Sequence, residues 1–172
     1  ANNGVTVDKI YTFHRNKYVI DVTYEVKNGS TIAITPAVYY QIVHDSESNQ
    51  GSALMPTFTG GSYYTEATKF KKLAFSDMEK EPLKLTSNDG WVGLLQHYFV
   101  SAWIPKQGQP REFYTEKLNE QMYRIGSKST LSTIAPGASL TIPARLFSGP
   151  QTKDDLIATA PGLEYTVYYG ML

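Results

Sequence analysis

The stretch Gly-Trp-Val-Gly-Leu-Leu-Gln-His-Tyr-Phe-Val-Ser-Ala-Trp-Ile-Pro, residues 90–105, decides the expected fold of this chain. It holds both tryptophans, Trp91 and Trp103, in a run with few polar side chains. Taken with period two, both faces are largely apolar, which predicts one strand buried on both sides. A helix is the alternative, and Gly93, the aromatic residues and the closing Pro105 count against it. The stretch is too short and too polar to span a bilayer, which requires about 20 apolar residues.

A strand hairpin is predicted upstream of this stretch. Tyr18–Val26 alternates apolar and polar side chains, which is typical of a half-buried strand, and Lys9–Phe13 is its predicted partner. Asn28-Gly29 then favours a further hairpin turn of type I′, because both residues tolerate positive φ. Asn28-Gly29-Ser30 also matches an N-glycosylation acceptor, and the turn is the favoured interpretation.

The rest of the chain is predicted to form short strands separated by turns. Strands are expected at Ile32–Ile34, Ala37–Val43, Tyr63–Phe75 (one or two strands), Phe113–Leu118, Tyr123–Ser132 and Ser139–Phe147. Polar or charged connections are expected at His44–Gly61, Ser76–Asn88 and Lys106–Arg111. Pro136-Gly137 marks a turn, and the charged connection that follows Phe75 has room for one helical turn.

One convincing helix is predicted, and it begins at Thr152. Thr152 and Asp155 fit a capping box, in which the hydroxyl bonds a backbone amide and the carboxylate reaches back. The helix has a small apolar face, formed by Leu156, Ile157 and Ala160. Pro161-Gly162 ends it. Many short strands with one short C-terminal helix indicate an all-β fold, a twisted antiparallel β-sandwich that forms a single domain over residues 1–172.

Composition argues against several functional classes. Lys plus Arg and Asp plus Glu both total 16, so electrostatics give no case for nucleic acid or for a strongly anionic membrane surface. The chain has no cysteine, which excludes disulfides and thiol chemistry. No transmembrane run is found in the 172 residues.

No catalytic or metal-binding motif is found in the sequence. The histidines, His14, His44 and His97, are not spaced as metal ligands, and a structural or solvated role is favoured for each. His97 is the best candidate for a buried, hydrogen-bonded imidazole. The acidic pairs Asp154/Asp155 and Glu79/Glu81 are better explained by helix capping and by a solvated loop than by acid–base chemistry. We therefore expect no catalytic residue, no cofactor and no metal.

Two surface patterns leave binding functions open. Lys69, Lys71 and Lys72 could contact lipid headgroups, and the favoured interpretation is an exposed strand face whose charges discourage aggregation. The chain also has 13 tyrosines. These could line an aromatic face that binds sugar rings or an extended peptide, and the favoured interpretation is that Tyr suits half-buried strands.

Four segments resemble the periplasmic domain of YidC-type membrane protein insertases from Gram-negative bacteria. Residues 90–105 are similar to the signature segment of that family. Ile10–Ser30 resembles its upstream strand pair, Leu146–Gln151 its Gly-Pro element, and Leu163–Leu172 the segment that leads into the second transmembrane helix. Tyr168 stands where the family usually has Asp. The signature residues implied by the resemblance are Gly90, Trp91, Gly93, His97, Tyr98, Phe99 and Trp103.

The resemblance implies a non-catalytic domain on the periplasmic side of the inner membrane that supports membrane protein insertion and folding. The implied fold is a galactose-mutarotase-like β-supersandwich. The implied partners are the transmembrane bundle of the same insertase, accessory subunits of the Sec translocon and nascent membrane protein clients. Because the family's domain normally extends upstream, the chain is expected to be its C-terminal portion, without the transmembrane parts.

The resemblance also implies that the C-terminal helix and a following strand couple the domain to the membrane portion. The residues expected to do so are Gly149, Pro150, Leu156, Ile157, Tyr169 and Gly170. The alternative is that they only pack the helix on the sandwich. Two other functions stay open: a carbohydrate-binding module or degenerate aldose epimerase, and a groove that holds extended apolar client peptides.

Overall fold

Two antiparallel β-sheets and three short helices make up the computed structural model, which describes residues 4–45, 59–96 and 98–170. The large sheet has the strand order β1 (Val5–Phe13), β2 (Val19–Asn28), β11 (Ser139–Pro150), β8 (Phe99–Pro105), β7 (Trp91–Gln96), β4 (Gly60–Thr65) and β5 (Lys69–Leu73). The small sheet has the order β3 (Ala37–Asp45), β10 (Met122–Thr130), β9 (Arg111–Lys117) and β6 (Lys84–Ser87). The helices are α1 (Phe75–Lys80), α2 (Lys153–Thr159) and α3 (Tyr165–Gly170). The prediction of an all-β antiparallel sandwich is confirmed.

Two apolar cores lie on opposite faces of the large sheet. The main core lies between the sheets and includes Val22, Tyr40, Val92, Phe113 and Ile125, each no more than 3% exposed. The other face of the large sheet, called the back face here, carries a second core that includes Trp91, Leu95, Phe147, Leu156 and Leu163. The central strands are therefore covered on both sides, by the small sheet and by the helical segment that follows β11.

Residues 90–105 form a hairpin and not the single strand that the sequence predicts. β7 and β8 pair with each other, for example through Val92 and Trp103, and Tyr98 lies in the turn with a φ of 60°. Because cross-strand partners share a face, Trp103 lies with Val92 in the main core, whereas Trp91 lies in the second core. The predicted burial of both faces is confirmed. A single strand would place both tryptophans on one face, whereas the hairpin places them on opposite faces because the chain reverses between them.

The predicted type I′ turn at Asn28-Gly29 is wrong. β2 pairs with β1 and β11, the next strand belongs to the small sheet, and neither residue has positive φ. Asn28 is a buried anchor, 1% exposed. Its Nδ2 donates to the carbonyl oxygens of Ile32 and Ile134, both at 2.9 Å, and its Oδ1 accepts from the Ser30 amide. These bonds fix the crossing of the chain from one sheet to the other.

The segment after β11 differs from its prediction in three respects. Thr152 is the N-cap of α2, but its side chain makes no capping bond, so the predicted capping box is not formed. Leu156 and Ala160 are buried as predicted, whereas Ile157 is 53% exposed. Residues one turn apart share a helix face and the next residue lies about 100° away, so this two-turn helix buries only a narrow stripe. The strand expected after α2 is the helix α3, since local turn bonds such as Thr166 Oγ1 to the Leu163 carbonyl close helical turns there.

Most of the other predicted strands are confirmed, with small shifts at their ends. The prediction for 63–75 resolves into β4 and β5, and the helical turn allowed after it is α1. Ile32–Ile34 contributes only a single bridge, from Ile34 to Ile134. The Pro136-Gly137 turn is present, with φ of 79° at Gly137. Most of the predicted loop His44–Gly61 lies outside the described residues, and its two ends belong to β3 and β4.

Candidate functional site

A helical segment, residues 152–170, covers part of the back face and is called the cap here. Its buried apolar side chains are Leu156, Ala160 and Leu163, each no more than 4% exposed. They pack in the second core against side chains of β7, β8 and β11. Each fully buried leucine contributes roughly 1.5–3 kcal/mol, so apolar contact is sufficient to hold the cap on the sheet.

Two contacts in the middle of the cap fix its position. The indole Nε1 of Trp91 donates to the carbonyl oxygen of Pro161 at 2.9 Å. Gly162 has a φ of 81°, and a Cβ there would lie 2.2 Å from the ring of Tyr64. Both the conformation and the space therefore require glycine. The Pro-Gly pair that marks the helix end in the sequence is also the point at which the cap is attached.

The six predicted coupling residues do not form one exposed surface. Leu156 is 0% exposed and packs the cap, whereas Ile157 is exposed. Gly149 and Pro150 end β11, and a Cβ on Gly149 would lie 2.5 Å from the ring of Tyr18. Tyr169 and Gly170 belong to α3, and their side chains lie outside the described part. Of the described members, Ile157 is the one that a partner can reach most directly.

An open cleft of about 590 Å³ lies beside the cap on the back face. Its floor is largely apolar and includes Trp91, Ile104 and Pro105. Its rim carries charges of both signs: Asp21, Glu66, Asp89, Lys106 and Arg145. Pro161 of the cap forms part of one wall, so the cap and the cleft are one continuous site.

The carboxylates on one side of the cleft have partners within the chain. Glu66 accepts hydrogen bonds from Lys69 Nζ at 2.9 Å and from the Tyr64 hydroxyl at 3.1 Å. These two bonds, the lysine's first, hold the pKa of Glu66 below its ordinary value. Asp89 Oδ2 accepts from the backbone amide of Glu66 at 3.2 Å. The lowered pKa favours the charged form of Glu66, and this side of the rim is suited to recognition of polar groups.

The opposite side of the cleft comes from the strands β2 and β11. Asp21 bonds the imidazole Nε2 of His14 at 2.5 Å. Arg145 is the direct partner of Asp21 in the antiparallel register. Asp21 and Arg145 therefore place side chains of opposite charge on this side of the cleft.

A buried arginine holds the edge of the cleft. Arg111 is 3% exposed and donates to the backbone carbonyl oxygens of Gly90, Asn88 and Lys106. Burial lowers its pKa to about 10, so the side chain stays cationic at neutral pH. Its bonds join the residues before β7 to the loop after β8. The sequence placed Arg111 in a polar loop and gave no signal of this role.

The signature residues have structural positions in the hairpin. Gly90 has a φ of 90°, and a Cβ there would lie 1.8 Å from the Tyr64 carbonyl oxygen. A Cβ on Gly93 would lie 2.6 Å from the Ser101 carbonyl oxygen. The two tryptophans fill the two cores, and the exposed members are Tyr98 and Phe99 at the turn. His97, predicted as a buried imidazole, lies outside the described residues.

The polar groups near α1 form a contact that the sequence did not suggest. Glu79, predicted in a solvated loop, accepts from the hydroxyl of Tyr123 and from Lys117 Nζ. These bonds, the tyrosine's first, lower the pKa of Glu79. Glu79 belongs to the helix α1 and not to a loop, and its side chain is 45% exposed, so it is solvated as predicted while α1 also turns it toward the end of the small sheet. No signal in the local sequence marks partners that are 38 and 44 positions away.

The described residues carry neither a metal-site arrangement nor a membrane-spanning helix. Within residues 4–45, 59–96 and 98–170, no group of three or more His, Asp or Glu side chains is placed to hold a metal ion. Over the same part of the chain, no helix has both the length and the apolar character needed to cross a membrane.

Comparison with known protein families gives one clear match. A family model described as the YidC periplasmic domain matches residues 1–172. The membrane protein insertase YidC of Methylobacillus flagellatus is 63% identical over 172 residues, which is all of this chain and 31% of the relative. Those of Nitrosospira multiformis and Cupriavidus metallidurans are 44% and 41% identical, over 99% of this chain and 30% and 31% of their own lengths. The chain thus spans about 31% of the length of these relatives.

Among solved structures, a galactose mutarotase-like protein from Clostridium acetobutylicum overlaps 85% of this chain and 62% of its own. The TM-score is 0.44 and the sequence identity is 8%.

Proposed function

This chain belongs to the family of YidC periplasmic domains, and from that premise we propose that it is a non-catalytic platform of an inner-membrane protein insertase. In this proposal the platform lies on the periplasmic side and supports the insertion and folding of membrane proteins. Its partners are the transmembrane bundle of the insertase, accessory subunits of the Sec translocon and nascent clients. No nucleic acid is involved.

The observation that supports this proposal best is the way the cap sits on the sandwich. Leu156 and Leu163 are fully buried and anchor it, while Ile157 and Tyr165 are 53% and 44% exposed. A segment that is anchored by buried leucines and also exposes large apolar side chains is suited to transmit contacts between the sandwich and a partner. The polar groups of the cleft support binding and support no reaction by themselves.

The proposal is tested by complementation of insertase-depleted cells with full-length protein. We expect deletion of Thr152–Gly170 to impair growth and insertion more than deletion of sandwich strands. We also expect Ile157→Asp to impair insertion, because it puts a charge on the exposed face of the cap. Val43→Asp is the matched control, since Val43 is 46% exposed on the small sheet. The reverse order of the two deletions, or equal effects of the two substitutions, would contradict the proposal.

Contacts with the Sec translocon are tested separately by site-specific crosslinking in membranes. Suitable probe positions are Ile157 on the cap and Lys72 on β5, whereas Tyr63 on β4 is half-buried and packs against the main core. Leu156 is unsuitable because it is fully buried. A crosslink to an accessory subunit from Ile157 but not from Lys72 would support the cap as the coupling surface.

A carbohydrate-binding role is the second candidate, and the cleft is the observation that favours it. The aromatic side chains at the cleft are a weak match, because Trp91 is 1% and Tyr64 8% exposed, so neither ring is free to stack on a sugar. Titration with hexoses and oligosaccharides, followed by tryptophan fluorescence, tests this role. Saturable binding in the micromolar range would favour it over the platform.

An extended client peptide is the third candidate for the same cleft. The apolar floor and charged rim suit a chain segment with an apolar side chain between polar ones. Binding of a client peptide is compatible with the proposed platform function. That function does not require binding of a sugar. Photo-crosslinking from Lys106 to a stalled nascent chain would demonstrate it, and a probe at Lys84, on the small sheet, is the control.

A further inference from the structure

One end of the large sheet carries exposed aromatic and basic side chains next to each other. The turn between β1 and β2 supplies Arg15, Lys17 and Tyr18, and the end of the β7–β8 hairpin supplies Tyr98 and Phe99. The aromatic residues are 43%, 47% and 36% exposed. We call these five residues the aromatic end.

Backbone hydrogen bonds show that the two turns lie at the same edge of the sheet. The Ser148 amide donates to the Tyr18 carbonyl oxygen at 3.1 Å. Three residues further along the chain, the Gln151 amide donates to the Tyr98 carbonyl oxygen at 3.2 Å. The end of β11 therefore lies between the two turns and holds them in one surface.

Among the described residues, no acidic side chain pairs with the basic residues of the aromatic end. Arg15 and Lys17 are exposed, and neither lies within 4.0 Å of a carboxylate of any described residue. Asp21, the acidic residue nearest in sequence, is bonded to His14. Other acidic groups toward this end are Asp154 and Asp155 in the first turn of α2, and Asp77 and Glu79 in α1. The positive charge is thus local to the β1–β2 turn.

The loops at the opposite end of the strands have a different composition. The segments 88–90, 106–110 and 135–138 contain Asn, Asp, Gln, Lys, Gly, Ala and Pro, and no aromatic residue. Both ends are exposed to solvent, so exposure alone does not account for the aromatic residues at one of them. The difference gives the molecule a direction along its strands.

We propose that the aromatic end contacts the headgroup layer of a phospholipid bilayer that contains anionic lipid. Tyrosine suits the boundary between headgroups and acyl chains because its ring is apolar and its hydroxyl is polar. Phenylalanine suits the apolar side of the same boundary. Arg and Lys side chains complement anionic headgroups. The inference rests on the proposed function only in that an insertase domain has a membrane beside it. It goes beyond that function by naming the surface that faces the membrane.

Fluorescent labels on single cysteines test the orientation, since the chain has no cysteine of its own. The 172-residue chain is tethered by a C-terminal histidine tag to vesicles of phosphatidylethanolamine and phosphatidylglycerol that contain a nickel-chelating lipid. The label is placed at Asn16→Cys, in the β1–β2 turn, or at Gln107→Cys, at the opposite end. We expect a lipid carrying a quencher near the headgroup to quench the label at residue 16 and not that at residue 107.

Substitutions test the chemistry of the contact. Tyr18→Ser, Tyr98→Ser and Phe99→Ser together should abolish quenching at residue 16. Arg15→Gln with Lys17→Gln should lower partition of the untethered chain onto phosphatidylglycerol vesicles roughly 25-fold, since each basic residue counts for about fivefold at an anionic surface. Lys84→Gln with Lys128→Gln, on the small sheet, is the matched control and should change partition little.

Equal quenching at residues 16 and 107, or no effect of the aromatic substitutions, would overturn the inference. Crosslinking of residue 16 to a protein in place of lipid in native membranes would also overturn it and assign the surface to a protein partner. The complementation test with Ile157 is independent of both. If that test succeeds and the vesicle experiment fails, only the membrane contact is lost.

Discussion

Asn28 and Arg111 are buried polar residues that bond backbone carbonyl oxygens from distant parts of the chain. Asn28 joins β2 to the Ile134 carbonyl, 106 positions away, and Arg111 joins the two sides of the hairpin base. Neither role has a local signal, since Asn-Gly favours a turn and Arg in a polar loop favours exposure. In contrast, Gly162 and Pro161 were predicted at the correct place, because a helix end is encoded locally.

The partly buried imidazole of His44 should make the stability of the fold depend on pH. Its ring nitrogen Nδ1 lies 3.1 Å from Gln96 Nε2, and its ring stacks on Phe75 with 5.9 Å between centroids. Burial lowers the pKa of His44, while the charge of Asp45 acts in the opposite direction and is the smaller effect. The folded-state pKa is thus below the unfolded value of about 6.5, so the neutral ring contributes stability that is present above about pH 6.5 and lost as the pH falls through the folded-state pKa.

The measurement is urea unfolding at pH 7.5 and at pH 5.0. The free energy of unfolding should fall by about 1.4 kcal/mol for each unit between the folded and unfolded pKa values. His44→Gln should remove most of this difference, and His14→Gln should preserve it. A difference that survives in His44→Gln would show that another group causes the pH dependence.

At the scale of elements, the hairpin of β7 and β8 shows that hydrophobic periodicity cannot distinguish one long buried strand from two paired ones. Both strands are largely buried on both faces, so apolar residues fill all positions except Gln96 and Ser101, and the alternation typical of a half-buried strand disappears. The turn also lacks the Asn or Gly that signals positive φ, although Tyr98 has a φ of 60°. By comparison, β2 and β10 have one face in the main core and were predicted nearly in full. The alternation of apolar and polar residues therefore locates half-buried strands, but it does not determine where fully buried strands end or how they pair.

Gly93→Ala tests the hairpin directly. In the hairpin a Cβ on Gly93 would lie 2.6 Å from the Ser101 carbonyl oxygen and 3.0 Å from Ala102 Cβ. We expect the substitution to lower the free energy of unfolding by about 2–3 kcal/mol, because these neighbours belong to the adjacent strand and cannot move away. Urea denaturation of the purified chain measures the change.

Gly61→Ala in β4 is the matched control. A Cβ there meets the flexible ends of Met78 and Ile125, at 2.7 and 2.8 Å, and not backbone. Its cost should be clearly smaller than that of Gly93→Ala. Equal costs would argue against the close backbone approach on which the hairpin geometry depends.

At the scale of the whole molecule, the edges of the two sheets are protected unequally. β5 carries three lysines and β6 is only four residues long, which are two common ways to prevent strand addition. β1 is nine residues long and exposes Val7, Tyr11 and Phe13 at 55%, 48% and 73%. These side chains share the face of Val26, Val22 and Ile20, so an apolar surface continues beyond the main core. The sequence analysis favoured a role for the lysines of β5 in discouraging aggregation, which agrees with the position of β5 at the edge of the sheet.

The unequal edges predict that the purified 172-residue chain associates with itself at high concentration. Val7→Lys should lower the weight-average mass in sedimentation velocity experiments, because it puts a charge in the middle of the exposed face of β1. Ile157→Lys, at a similar exposure on the cap, is the control and should leave the mass unchanged. A mass that does not depend on concentration, or that responds only to the change at residue 157, would contradict this role of β1.

The fold class and the helix end could be derived from the sequence, whereas the cleft and the aromatic end could not. The cleft combines residues from β1, β2, β7, β8 and β11, and the aromatic end combines the β1–β2 turn with the end of the β7–β8 hairpin. The order of these strands in the sheet depends on pairing between distant segments. The segments were each identified, and their arrangement was not. Such sites are identified only from the three-dimensional structure, because the residues that form them are not arranged at any regular spacing in the sequence.

Because Trp91 and Trp103 lie on opposite faces of the large sheet, the chain contains two intrinsic fluorophores that report on different regions of the molecule. Light emitted by the first indole depends on whether residues 152–170 stay seated, since its nitrogen is bonded to Pro161. The second indole bonds the Gln41 carbonyl and is sensitive to separation of the two sheets. Detachment of the helical segment and loss of the sandwich can therefore be followed as distinct events in a single chain, without any foreign dye.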